Sequence, residues 1–126
     1  MKTSVLLAAI FIAACVTKAS KDDAPGAYDL QTAQGAEALV LEADGRFHHL
    51  ARSPKKLILD EKGRWEWEQE APEGSGEIIS INGYTTLIPG MEGYGLWPAV
   101  IERYRGRVRL VVNRDLGLFY YKRQAH

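Results

Sequence analysis

The residue types able to do chemistry fall into a few groups. His48 and His49 are adjacent, so on an extended strand their rings point to opposite faces and cannot share one metal ion. His126 is remote in sequence and Cys15 is the single cysteine, so no metal is expected. Glu66, Glu68 and Glu70 share one face of an alternating stretch. Consecutive carboxyls on a strand face lie about 6.5–7 Å apart, a separation that glycosidases use. These three, however, stand opposite Trp65 and Trp67, on the side that faces water, where nothing raises a carboxyl pKa. Gly74-Ser75-Gly76 lacks the spacing of a nucleophile elbow, and Gly90-x-x-Gly93-x-Gly95 reverses the dinucleotide fingerprint and opens no helix. No catalytic residue and no cofactor is expected.

Recognition chemistry is denser. The segment Gly83 to Pro98 holds four glycines, two prolines and the aromatics Tyr84, Tyr94 and Trp97. Aromatic rings on a glycine-rich loop supply contact area at low entropic cost, which suits a binding surface. The alternative is that Tyr94 and Trp97 fold back as a plug over one end of the domain. Charge is segregated as well. Leu57 to Glu102 carries nine acids and two bases, whereas Arg103 to His126 carries seven bases and one acid. Either the outer faces are solvated and cross-paired, each pair contributing about 0.2–1 kcal/mol, or the basic end docks an acidic protein or glycan.

The elements that position these residues read as short strands. In 126 residues, 46% apolar and 25% charged, one compact domain is expected, and 16 bases against 16 acids leave no net charge to draw the chain to nucleic acid or anionic lipid. Residues 27–126 are expected to form that domain, a monomer. Glu37 to Glu42 and Arg46 to Leu50 flank Asp44-Gly45, a hairpin signal in which both turn residues take positive φ. Further turns are expected at Glu61-Lys62-Gly63, Asn82-Gly83, Arg105-Gly106 and Asp115-Leu116-Gly117. Between Gly63 and Gln69 the alternation puts Trp65 and Trp67 inward on a half-buried strand. Val108, Leu110 and Val112 share a face in the same way. The result is an all-β, antiparallel meander of about 8–9 strands. An open sheet of that size would leave bare edges, so a small closed barrel or a two-sheet sandwich is expected.

The N-terminus is a targeting segment. After Lys2, Ser4 to Val16 is an uncharged apolar run whose helix would be about 20 Å long, short of the ~30 Å hydrocarbon core. A signal peptide over 1–14, forming a signal helix, therefore fits better than a membrane span. Ile12-Ala13-Ala14-Cys15 resembles the lipobox of bacterial lipoproteins. That resemblance implies cleavage before Cys15, lipidation of Cys15 and, because Val16 rather than Asp follows, an outer-membrane destination facing the periplasm. The alternatives are ordinary secretion with cleavage after Ala19, and an uncleaved anchor. No disulfide is possible with one cysteine. Residues 15–26 are expected to be a flexible tether.

Gly26-x-Tyr28, Leu39-x-Leu41-x-x-Asp44-Gly45-x-Phe47 and Gly63-x-Trp65 together resemble small secreted bacterial domains with lipocalin-like barrels. True lipocalins carry Gly-x-Trp on the first strand rather than near the middle. The resemblance implies a barrel that binds apolar molecules or proteins and transfers no catalytic residue. An exported binding protein is thus expected, with membrane contact through the lipid alone. It would hold either a small apolar ligand near Trp65, Trp67, Tyr84, Tyr94 and Trp97, or a protein partner at the 83–98 loop and the basic C-terminal hairpin, as an envelope inhibitor or immunity protein would.

Overall fold

The computed structural model describes residues 16–69, 74, 76–85 and 95–124. The expected signal helix, Cys15, Tyr94 and the carboxylate of Glu70 lie outside that set. Nine strands are present: β1 (Val16–Lys18), β2 (Gly26–Thr32), β3 (Gly35–Leu41), β4 (Arg46–Arg52), β5 (Leu57–Trp67), β6 (Glu77–Tyr84), β7 (Gly95–Tyr104), β8 (Arg107–Asn113) and β9 (Leu118–Lys122). Strands β2 to β9 pair antiparallel in sequence order, and β9 returns to β2, so the expected meander closes as an eight-strand barrel rather than a sandwich. β1 is an extra strand on β7. It takes over at Glu102, where the pairing of β7 with β6 stops at Ile101.

The alternation read from sequence sets the two faces. Leu39, Leu41, Phe47, Trp65, Ile79, Ile81, Ala99, Ile101, Val108 and Leu110 are buried in one interior core, with Trp67 packed against it. Glu66 is exposed on the opposite side of β5. Two expected turns are not turns. Glu61-Lys62-Gly63 lies within β5, because Gly63 pairs with Phe47 and a β-carbon there would come within 2.6 Å of that ring and 2.4 Å of the Asn82 carbonyl oxygen. The glycine serves close approach, not reversal. Asn82-Gly83 lies within β6 as a bulge, with Gly83 at φ +96°. The extra residue re-aims the strand, so that Tyr84 rather than residue 83 points inward. The Asp44-Gly45 hairpin does form, but only Gly45 takes positive φ.

Residues 16–26 are not a loose tether. Val16–Lys18 forms β1, Lys21–Asp23 forms a 3-10 turn, and Ala19 and Ala24 are buried in the core. The Tyr28 hydroxyl donates to the Ala24 carbonyl at 2.6 Å, the Lys122 ammonium donates to the Asp23 carbonyl at 2.6 Å, and Arg103 pairs with the Asp23 carboxylate. Composition hid this because the two small apolar residues sit among charged ones. Deleting residues 16–19 removes a three-residue ladder and a buried alanine. A loss of about 1–3 kcal/mol is expected, measured as a lower urea midpoint at unchanged m-value.

Candidate functional site

Antiparallel order gathers the β2–β3, β4–β5, β6–β7 and β8–β9 connections at one end of the barrel. Inside, toward that end, lies a polar cluster. His49 on β4 is fully buried between two carboxylates: Nδ1 is 2.7 Å from Glu61 Oε1 on β5, and Nε2 is 2.8 Å from Glu37 Oε1 on β3. The Tyr120 hydroxyl on β9 donates to Glu37 Oε1 at 2.9 Å and lies 2.7 Å from the Tyr84 hydroxyl on β6. Burial, the Tyr84 hydroxyl and the nearby Glu37 together push the Tyr120 phenol well above its ordinary range, so it stays a neutral donor. Thr85 closes the network, its amide and hydroxyl each donating to Glu61 at 2.8 Å.

The aromatic residues singled out from sequence occupy different places. Tyr84 is buried between the His49 ring and the half-buried Trp97, with ring centroids 4.7 Å away on either side. Trp65 is buried and its indole donates to the Glu42 carbonyl at 2.8 Å, while Trp67 packs on the core beside it. Tyr84 and Trp97 are thus brought together, and the tryptophans of β5 fill the interior. His48 points outward, 2.6 Å from Asp60. Both His49 nitrogens are engaged, and among the described residues no group of His, Cys, Asp or Glu has the arrangement to hold a metal ion. Glu37, Glu61 and Tyr120 were not picked out from the sequence. The signal for Glu37 was there: it stands in phase with Leu39 and Leu41.

Outside, the same end carries exposed apolar side chains among charged ones such as Arg52, Lys55, Lys56, Arg114 and Asp115. Leu57 and Ile58 at the start of β5, Leu96 at the start of β7 and Leu116 in the β8–β9 turn are all exposed, Leu116 at 68%. A cleft of about 390 Å³ adjoins this rim where β2 and β9, paired only through Tyr28–Lys122 and Asp29–Tyr121, draw apart. Leu30, Gln31, Phe119 and Tyr121 are among its lining residues, with Asp29 and Arg107. The architecture is therefore a closed barrel with a filled interior and four exposed large apolar side chains at one end. Compared with known proteins, the chain matches no family model, no curated protein and no solved structure.

Proposed function

We propose that this chain is an exported binding module of the bacterial envelope, with a lipocalin-like barrel, that docks a protein partner at the rim carrying Leu57, Ile58, Leu96 and Leu116. The observation that carries this reading is the contrast between interior and rim. A carrier of apolar molecules needs a cavity of about 300–1,000 Å³. Here Tyr28, Tyr120, Phe47, Leu39, Ile79 and His49 are fully buried in the interior, while large apolar side chains stand in water at the rim. Large apolar side chains exposed at one end of a barrel are candidate contacts for a partner. The stacking of Trp97 on Tyr84 favours the plug alternative for that part of the 83–98 segment. A small-ligand reading draws on the cleft between β2 and β9, whose mixed lining suits an amphipathic molecule better than an apolar one.

Anchoring through a lipid on Cys15 at the periplasmic side of the outer membrane belongs to the same reading. It is supported by β1 and Ala19: cleavage before Cys15 keeps both, and cleavage after Ala19 would discard a paired strand and a core residue. The test is photo-crosslinking in the native host from residue analogues placed at 96 and 116, with His48 on the outer wall as control. A discrete protein adduct at 96 and 116 only is expected. Leu96→Asp with Leu116→Asp should reduce it at least about tenfold while changing stability by no more than about 0.5 kcal/mol per site. No adduct at the rim, together with a co-purifying small mass in native mass spectrometry, would transfer support to the ligand reading.

A further inference from the structure

We infer that the cleft between β2 and β9 is a binding site for a small amphipathic monocarboxylate, anchored by the Arg107 guanidinium. This site is additional to the docking rim and does not rest on it. The cleft exists because the barrel leaves one ladder unfinished. β2 runs to Thr32 and β9 starts at Leu118, yet their pairing stops at Asp29–Tyr121. Below that pair the Arg123 amide donates to the Ala27 carbonyl at 2.8 Å. Alternate residues of an antiparallel strand send their peptide groups the same way, so Gln31 on β2 and Phe119 on β9 are the next in line. They would form the following hydrogen-bonded pair, and the register leaves them out. Backbone polar groups that border an opening in this way take water or a ligand as partner.

The opening holds about 390 Å³, at the lower end of the range for small-molecule sites. Its walls are apolar along their length and cationic at one end. Phe119 and Tyr121 stand on the outer side of β9, half-buried, with ring centroids 5.9 Å apart, and Ala36 on β3 lines the other side. At the closed end Arg107 lies over the Tyr121 ring, its guanidinium carbon 4.8 Å from the centroid. Its Nε donates to the Lys122 carbonyl at 3.2 Å. These two contacts hold the side chain in place and leave the N–H donors of its two terminal nitrogens to a ligand. Among the described residues no acid pairs with Arg107 at ion-pair distance.

The acids around the cleft set the charge of its ligand. Asp29 receives Arg123 through two hydrogen bonds, of 2.7 and 2.8 Å, and these, with the charges of Arg123 and Arg107, hold its carboxyl below the ordinary range. The Glu37 side chain has no exposed surface and is turned to His49 and Tyr120, so Glu37 forms floor rather than a contact for the ligand's head. Asp115 is exposed in the β8–β9 turn, beyond Gly117 at the opposite end of the cleft. The site therefore depends on one held guanidinium and needs no surplus of charge around it. A planar carboxylate matches a guanidinium through two parallel hydrogen bonds. A phosphate dianion would set a second charge against Asp29, which favours the monoanion. The carbon body of the ligand then lies along Phe119 and Tyr121 and takes their exposed surface out of water.

The experiment titrates the isotope-labelled full chain, purified from its host, and follows backbone amide resonances. Benzoate, phenylacetate, cinnamate and hexanoate are the probes, each beside its primary amide, with phenyl phosphate for comparison. At least one acid is expected to move the Gln31 and Phe119 resonances and to bind at least about fivefold tighter than its amide. Arg107→Gln should weaken that acid about fivefold or more, with Arg107→Lys recovering part of the loss, and Arg46→Gln, outside the cleft, should leave it within about twofold. Arg107 is exposed, so its variants should keep the fold, which the resonances away from the cleft check. No shift at the cleft with any probe overturns the inference, as does a smaller difference between acid and amide or a smaller loss in Arg107→Gln. Phenyl phosphate binding tighter than every acid assigns the cleft to phosphate monoesters and overturns the carboxylate. Crosslinked adducts at Leu96 and Leu116 are read separately, so the docking reading stands or falls without altering these outcomes.

Discussion

His49→Phe is expected to destabilise the barrel by about 3–5 kcal/mol, a drop in melting temperature on the order of 20 °C for a domain of this size. Phenylalanine keeps a ring to stack on Tyr84 but removes both contacts to carboxylates. Glu37 has no exposed side-chain surface, and without His49 its Oε1 loses the 2.8 Å contact to the ring while keeping the Tyr120 hydroxyl. The cost is therefore that of taking one partner out of a buried polar network, which exceeds the net worth of the original contacts. A second variant separates the two. Adding Glu37→Leu to His49→Phe removes the buried carboxyl that faced the ring, and more than half of the lost stability should return, because exchanging a whole buried polar pair for apolar groups is often close to neutral. Denaturant midpoints at constant m-value measure both. A loss below about 1 kcal/mol for His49→Phe would mean that the cluster is solvated in a way its burial does not suggest.

How much of this was legible in the sequence depends on which interaction decided each element. The alternation of Trp65, Trp67 and the intervening glutamates is local, and it gave the strand and its buried face. Closure of the barrel was legible only as a demand that edges be covered; which strand meets which depends on contacts as distant as Tyr28 with Lys122. Glycine was the misleading residue. At Gly106 and Gly117 it marks turns, but at Gly63 it makes room for Phe47 and at Gly83 it forms a bulge, and the dipeptide alone does not separate these uses. The polar cluster was hidden for a related reason. His49 was placed correctly opposite His48, but its partners come from β3, β5, β6 and β9, and no spacing along the chain joins 37, 49, 61, 84 and 120. The segment before Gly26 was misread because composition reports average polarity, whereas docking needs only two small apolar residues at the right places.

Glu102→Gln is expected to cost about 2–4 kcal/mol at neutral pH, from a site on the barrel's outer face rather than in its core. Glu102 Oε2 receives Arg109 at 2.7–2.8 Å and Oε1 receives Arg114 at 2.8 Å. Arg109 stands on the outward side of β8, yet it is 5% exposed, because it is enclosed by Tyr104 at 4.3 Å and Phe119 at 3.8 Å from its guanidinium carbon to the ring centroids. A carboxamide there would leave the guanidinium buried without its counter-charge. The pH dependence follows from the carboxyl group. Burial pushes the Glu102 pKa up, but the hydrogen bonds and charges of Arg114 and Arg109 outweigh burial and hold it below its ordinary value of 4.5. A carboxyl lowered in the folded state contributes stability that is complete above its unfolded pKa and is lost as pH falls through the folded one. The stability difference between the native chain and Glu102→Gln should therefore be constant from pH 7 down to about pH 5 and shrink progressively below it. Arg109→Met with Glu102→Leu should lie closer to the native chain than Glu102→Gln does, and its stability should lack this acid-dependent part. A difference that persists undiminished to low pH would show that the glutamine variant is destabilised by packing around the three rings and not by the loss of the charge.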